Sequence, residues 1–249
     1  MAKNSSKKAI VVGASSGIGR ALAQVLAQNG YAVGLAARRF ELLRQLQNEL
    51  SSPTYAQRID ISQPDEAMVL LGELISKMGG MDLIVINSGI NTRNFTLDWP
   101  GEIDTIKVNV SGFVAMANVA LKHFLKQNSG HLVGVSSIAG LRGSAHCPSY
   151  NASKAFVSNY LEGLRHRLRK HNIYVTDIRP GLVDTAMIKD NKLRFWVSRP
   201  EGAAEQIFQA IKKKKKLAYI TRRWHFIAWL LKLLPDWIYR LRDKLEIED

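Results

Sequence analysis

Tyr150 and Lys154 stand four residues apart, and Ser137 precedes the tyrosine by thirteen. At i and i+4 on a helix, a phenol and an ammonium project from one face. A free phenol titrates near pH ~10, and lowering that by about three units requires roughly 4 kcal/mol of preferential stabilisation of the phenolate. A neighbouring cation is the natural source. A serine hydroxyl within reach would hydrogen-bond an oxygen of a bound molecule while the phenol exchanges its proton with it. A YxxxK pair alone is usually a solvated pair on a helix surface. Here its setting adds weight, because Ser136-Ser137 closes the apolar run 131–136, which reads as a central strand. Open α/β sheets bind ligands beyond the carboxyl ends of such strands.

A second constellation lies near the start. Gly13-Ala14-Ser15-Ser16-Gly17-Ile18-Gly19 falls between an apolar strand and an amphipathic helix, where backbone N–H groups and a helix dipole face a pyrophosphate. The spacing is GxxxGxG. The same residues also fit G-x-S-x-G with Ser15 at its centre, the strand-to-helix elbow of a serine hydrolase. That rival needs an acid and then a histidine downstream, and its candidates are Asp177 and His225. After the second strand the chain reads Gly34-Leu35-Ala36-Ala37-Arg38-Arg39. No acid stands there to meet an adenosine 2′-hydroxyl, and two guanidiniums suit a 2′-phosphate, which favours NADP(H) over NAD(H).

The elements that must hold these groups alternate. Strands are expected at 8–12, 31–37, 54–59, 82–86, 131–136, 173–179 and 217–220, with helices at 17–29, 39–50, 64–78, about 101–127, about 150–171 and 201–215. Leu83-Ile84-Val85-Ile86 and Leu132-Val133-Gly134-Val135 are apolar throughout, as strands buried on both faces should be. The expected fold is α/β, a Rossmann-type, doubly wound parallel sheet of about seven strands with helices on both faces. The chain of 249 residues closes one catalytic domain, with a core over 8–220 and an extension over 221–249.

In combination these motifs resemble the short-chain dehydrogenase/reductase family over about residues 8–220. The resemblance implies that Gly13, Gly17 and Gly19 shape the cofactor turn, that Asp60 bonds the adenine, and that Asn87 and Gly89 stabilise the central strand. It implies a catalytic tetrad of Asn109, Ser137, Tyr150 and Lys154. In it Ser137 holds the substrate oxygen, Tyr150 exchanges the proton, Lys154 holds the nicotinamide ribose and Asn109 holds a relay water. Pro180-Gly181, with Val183 and Thr185, resembles the segment that contacts the nicotinamide carboxamide and pyrophosphate. Val12 stands where the family has Thr, and Ile86-Asn87-Ser88-Gly89 replaces Asn-Asn-Ala-Gly, so supporting hydrogen bonds should be weaker there. The implied activity is hydride transfer between NADP(H) and a carbonyl or alcohol, by a homo-oligomer. A non-catalytic cofactor-binding protein of the same fold is the alternative.

Composition adds a location. One cysteine, Cys147, forms no intrachain disulfide, and no apolar leader follows the basic start, so a reducing, cytoplasmic place is expected. No His/Cys/Asp/Glu cluster has metal-ligand spacing, so no metal is expected. The net charge is +14, and residues 212–244 hold 11 basic against 2 acidic residues. Within this tail, 222–241 interleaves Trp224, Phe226, Trp229, Leu230, Leu233 and Trp237 with Arg222, Arg223, Lys232 and Arg240. Lys232 and Pro235 interrupt it well short of the roughly 20 apolar residues of a bilayer span. It suits packing on a partner subunit or lying on an anionic membrane surface. Membrane-associated hydroxysteroid dehydrogenases of the family have comparable segments, which implies a lipophilic substrate by analogy. The lysine run has no nucleic-acid motif beside it. Residues 189–199, with Phe195 and Trp196, fall where a substrate lid belongs.

Overall fold

The computed structural model describes residues 6–92, 94, 96, 98–185, 196–221, 223–233 and 235. Seven strands form one parallel sheet: β1 Lys8–Val12, β2 Ala32–Ala37, β3 Thr54–Arg58, β4 Leu83–Ile86, β5 Gly130–Val135, β6 Ile173–Pro180 and β7 Leu217–Ile220. Their order is β3-β2-β1-β4-β5-β6-β7. The chain winds outward from β1 to β3 and then returns to continue the other way from β4. The switch between β1 and β4 opens a crevice at the carboxyl edge.

Side chains alternate across a strand, so Ala9 and Val11 of β1 enter one core and Ile10 and Val12 the other. The first core takes Leu22 and Leu26 from α1 (Gly17–Gln28), Leu43 and Leu46 from α2 (Phe40–Glu49), and Ile207 and Phe208 from α7 (Pro200–Lys212). The second takes Leu71 and Leu74 from α3 (Pro64–Lys77), Phe113 and Phe124 from α5 (Phe113–Gln127), and Val157 and Leu161 from α6 (Pro148–Arg167). Helices therefore cover both faces, as the alternation of elements requires.

The boundaries moved where local signals were weak. The helix expected at about 101–127 is α4 (Trp99–Ile106), a π-helical turn (Lys107–Gly112) and α5 in one run. That run is long and apolar enough by composition to cross a membrane, but half of its most apolar window is buried inside the fold, so a core helix accounts for it. α6 starts at Pro148, since proline's missing N–H has no cost in a first turn. α7 ends at Lys212, and Lys214 takes a left-handed φ of 47° after it. A further helix, α8 (Trp224–Leu233), lies in the C-terminal segment.

Candidate active site

At the turn after β1, Gly13 adopts φ 90°, its amide donates to Ala36 O at 2.7 Å, and a Cβ there would fall 2.7 Å from Ser88 N. A side chain at this position would be excluded twice, by the dihedral and by the contact. α1 then opens at Gly17 behind an extended Ser16, with no side-chain cap and no acid in its first turn. Its first N–H groups and dipole are therefore left to an outside anion. Ile18 packs against the core behind the turn, and a Cβ on Gly19 would collide with Gly13 O. Asn87 Nδ2 donates to Gly13 O at 3.2 Å, and Asn87 N and Ser88 N both donate to Val12 O, at 2.9 and 3.0 Å. The backbone thus makes the link that the Val12 and Ser88 departures put in question.

Of the two arginines after β2, Arg39 reaches the turn. Its Nη2 donates to Ser15 Oγ at 2.9 Å and to Ser16 Oγ at 2.6 Å, with Nε 3.3 Å from Ser15 Oγ. Arg38 is exposed and makes no hydrogen bond among the described residues. This settles the rival chemistry of Ser15, a residue 6% exposed whose hydroxyl is bonded to a guanidinium instead of an imidazole. His225 packs on Tyr219 with ring centroids 5.2 Å apart, and Asp177 is paired with Arg179. Asp60, expected at the adenine, accepts from Ser62 N at 3.0 Å and Ser62 Oγ at 2.8 Å, which fixes its carboxylate just beyond the end of β3.

The tetrad residues meet at the carboxyl ends of β4 and β5. Asn109 lies in the π-helical turn; its Nδ2 donates to Ile90 O at 2.9 Å and to Ser153 Oγ at 3.0 Å, and its Oδ1 accepts from Ile90 N at 2.9 Å. The carboxamide is largely committed to protein, with one Oδ1 lone pair uncommitted among the described residues. Lys154 Nζ donates to Val135 O at 3.1 Å and sits 5.8 Å from the Tyr150 ring centroid. A Cβ on Gly89 would fall 3.0 Å from that Nζ and 3.3 Å from Asn109 Oδ1, so the glycine keeps this cradle open. Ser137 Oγ hydrogen-bonds the Tyr150 phenol, accepts from Ala139 N at 3.1 Å and donates to Pro180 O at 3.4 Å.

Burial sets the charges. It pushes Tyr150 up to about 12 against the opposing Ser137 hydrogen bond, with Cys147 adding to the rise. Lys154 was expected to hold the phenol low with the aid of an oxidised cofactor's positive nicotinamide; the protein's own groups by themselves do not outweigh desolvation of a phenolate. Burial also brings Lys154 down to about 8, while Asp177 opposes the drop. At neutral pH the phenol keeps its proton and the ammonium its charge.

The segment after β6 closes the site. Val183 bridges to Ser198 and is 4% exposed, and Thr185 Cγ2 would lie 2.9 Å from a Cβ on Gly17, so this segment meets the glycine turn. Of the lid expected at 189–199, residues 189–195 with Phe195 lie outside the described residues, as do 186–188, Arg222 and 236–249 with Trp237 and Arg240. Trp196 is described and lies under the Arg223 guanidinium, which is 5.9 Å from its ring centroid. Among the described residues no cluster of three His, Cys, Asp or Glu could hold a metal.

A family model described as short chain dehydrogenase matches residues 7–194. The chain belongs to the short-chain dehydrogenase family. It is similar to an uncharacterized oxidoreductase of Myxococcus xanthus, 38% identical over 196 residues that cover 77% of this chain and 78% of that protein. One from Staphylococcus aureus is 33% identical over 216 residues, covering 84% and 92%. Among solved structures, a single-residue variant of actinorhodin polyketide ketoreductase with NADPH superposes with a TM-score of 0.79 at 24% identity, covering 88% and 97%. The 3-ketoacyl-(acyl-carrier-protein) reductase of Brucella melitensis complexed with NADH gives 0.78 at 22%, covering 86% and 96%. At these identities the two structures establish the shared fold alone.

Three supports of this family member's site escaped the sequence. Ser153 Oγ accepts from Asn109 and donates to Tyr150 O at 2.7 Å, joining the π-helical turn to the helix that carries the tyrosine. Asn151, 5% exposed, donates to Ala139 O at 2.7 Å and Arg142 O at 2.9 Å and accepts from Ser144 and Cys147, which pins the loop in front of Tyr150. Beneath them Ser136 Oγ donates to the fully buried Asp177 Oδ1 at 2.5 Å, and Arg179 Nε donates to its Oδ2 at 2.7 Å. A serine and an asparagine one to three residues from Tyr150 carry no pattern of their own, so only the fold reveals them.

Proposed function

We propose that the protein is an oxidoreductase that moves a hydride between NADP(H) and a carbonyl or alcohol substrate, with Tyr150 as its acid/base. The observation that carries this reading is the convergence of Ser137, Tyr150 and Lys154 beside an uncapped helix N-terminus and a cradle kept open at Gly89. The glycine turn fits a pyrophosphate, Lys154 with two unused N–H groups fits ribose hydroxyls, and Arg38 is free to meet a 2′-phosphate. When bound, the cofactor supplies the hydride. Ser137 would orient the substrate oxygen, and Tyr150, protonated with its pKa near 12, would give that oxygen its proton.

The C-terminal helix favours a lipophilic substrate reached at an anionic membrane surface. α8 buries Trp224 and Ala228 on its inner side and leaves Phe226, Trp229, Leu230 and Leu233 at 76, 64, 50 and 59% exposure. That spacing of i, i+3, i+4 and i+7 is one continuous apolar stripe. Residues 222–244 carry six basic against two acidic residues, which complements anionic headgroups. The fold removes the lysine run from this argument. Lys212–Lys216 precede β7 and lie at the amino edge of the sheet, whereas α8 follows β7 at the carboxyl edge with the active site.

The test is a panel of ketones and aldehydes of graded hydrophobicity, supplied with NADPH or NADH to the purified protein. NADPH consumption that rises with substrate hydrophobicity supports the reading; turnover of no carbonyl with either cofactor contradicts it.

A further inference from the structure

Gly181 is held from three directions. Its amide donates to Ile220 O at 2.5 Å across the β6–β7 pair. The carbonyl of the preceding Pro180 receives the Ser137 hydroxyl at 3.4 Å. Against its Cα lies the indole of Trp224, so close that a Cβ on Gly181 would overlap Cε2, Nε1 and Cδ1 of the ring.

Trp224 opens α8 and is 7% exposed, and Ala228, one turn on, is 1% exposed. The indole N–H is buried without a hydrogen-bond acceptor among the described residues. A buried donor left unpaired is costly, so hydrogen bonding is not what places a tryptophan here. The flat ring is, because it fills the space that the absent side chain of Gly181 leaves. Ring, glycine, proline carbonyl and catalytic serine then form one packed chain of contacts from the C-terminal helix to the reacting centre.

We propose that Trp224 is a positioning residue for the nicotinamide half of the cofactor site. α8 braces the Pro180–Gly181 segment from behind and so sets where that segment and the Ser137 hydroxyl meet the ring and the substrate oxygen. This rests on the cofactor reading above. It makes the C-terminal helix part of the catalytic unit, and a chain cut near Thr221 loses a wall of the site as well as its apolar stripe.

The experiment compares full-length wild type, Trp224→Ala and Trp224→Phe. Each is titrated with NADPH, followed by nicotinamide fluorescence, and with adenosine 2′,5′-bisphosphate, which lacks the nicotinamide half; NADH and AMP form the parallel pair. Thermal midpoints are recorded alongside. Trp224→Ala is expected to bind the adenosine fragment within about twofold of wild type and to lose at least about tenfold in affinity for the whole cofactor. Trp224→Phe keeps a flat ring and removes the stranded donor, and is expected to restore cofactor affinity to within about threefold. Should Trp224→Ala fail to fold, Trp224→Leu, which keeps apolar volume but not the flat ring, is expected to lose affinity for the whole cofactor in the same sense. Unchanged cofactor affinity in the Trp224→Ala variant, or equal weakening of fragment and whole cofactor, overturns the inference. A wild type that binds neither ligand overturns the cofactor reading together with it.

Discussion

At the scale of single residues, the site is governed by desolvation. Tyr150 near pKa 12 and Lys154 near 8 are each pushed towards the neutral form by burial, and Asp177, buried beneath them, opposes the lysine's drop. In the proposed reaction a phenol in that state is the acid for a substrate oxygen that becomes basic as hydride arrives. The two arginines after β2 divide their labour in a way the sequence could not show. Arg39 is tied to Ser15 and Ser16, while Arg38 makes no hydrogen bond among the described residues, which is why it is proposed for a 2′-phosphate. Arg38→Ala should therefore erase a preference for NADPH over NADH of at least about tenfold, which is roughly 1.4 kcal/mol. Arg39→Ala should loosen the turn and weaken both cofactors alike. Dissociation constants for the two cofactors in each variant check this, and an unchanged NADPH/NADH ratio in Arg38→Ala counts against the assignment.

At the scale of elements, the fold was legible where periodicity and punctuation agree. The glycine turn after β1, the i, i+4 pair on α6 and Pro180-Gly181 at the end of β6 each sit close to where the sequence put them, because each is a local signal. The π-helical turn was not legible, since Lys107–Gly112 reads as ordinary helix, yet it is the turn that carries Asn109 with its bonds to Ile90 and Ser153. Trp224 was not legible either: its contact with Gly181 exists because β7 pairs Ile220 with Pro180 and returns the chain to the carboxyl edge. The β5–β6 pair also hides a pH response. His131 Nε2 lies 2.8 Å from Thr176 Oγ1, and burial lowers its pKa to about 4 from 6.5, with Lys214 assisting. Between about pH 4 and 6.5 the unfolded chain binds a proton there that the folded chain does not. Stability therefore falls on acidification through that window, by at most about 3 kcal/mol. Urea unfolding at several pH values should show this loss reduced in His131→Asn; an identical slope in that variant would rule His131 out as its source.

At the scale of the whole molecule, the apolar stripe of α8 and the Ser137–Tyr150–Lys154 cluster lie at the same carboxyl edge of the sheet. The lysine cluster faces the other way, so the charge that first suggested a membrane partner divides into a distant patch and a smaller basic complement around the stripe. The stripe is best tested without touching the inner face of α8. Replacing Phe226, Trp229 and Leu230 together by Ser should reduce sedimentation with anionic vesicles at both low and high salt while leaving carbonyl reduction intact, since burial of those side chains adds an apolar contribution that salt does not screen. Equal sedimentation of the two proteins, or a change of oligomeric state without a lipid effect, would assign the stripe to a subunit contact. The proposed enzyme passes its substrate's proton through Tyr150. Single-turnover oxidation of bound NADPH by a carbonyl substrate, in wild type and Tyr150→Phe, checks this. The variant is expected to lose at least about 10³-fold in rate with cofactor affinity retained. Near-normal turnover in Tyr150→Phe would contradict it.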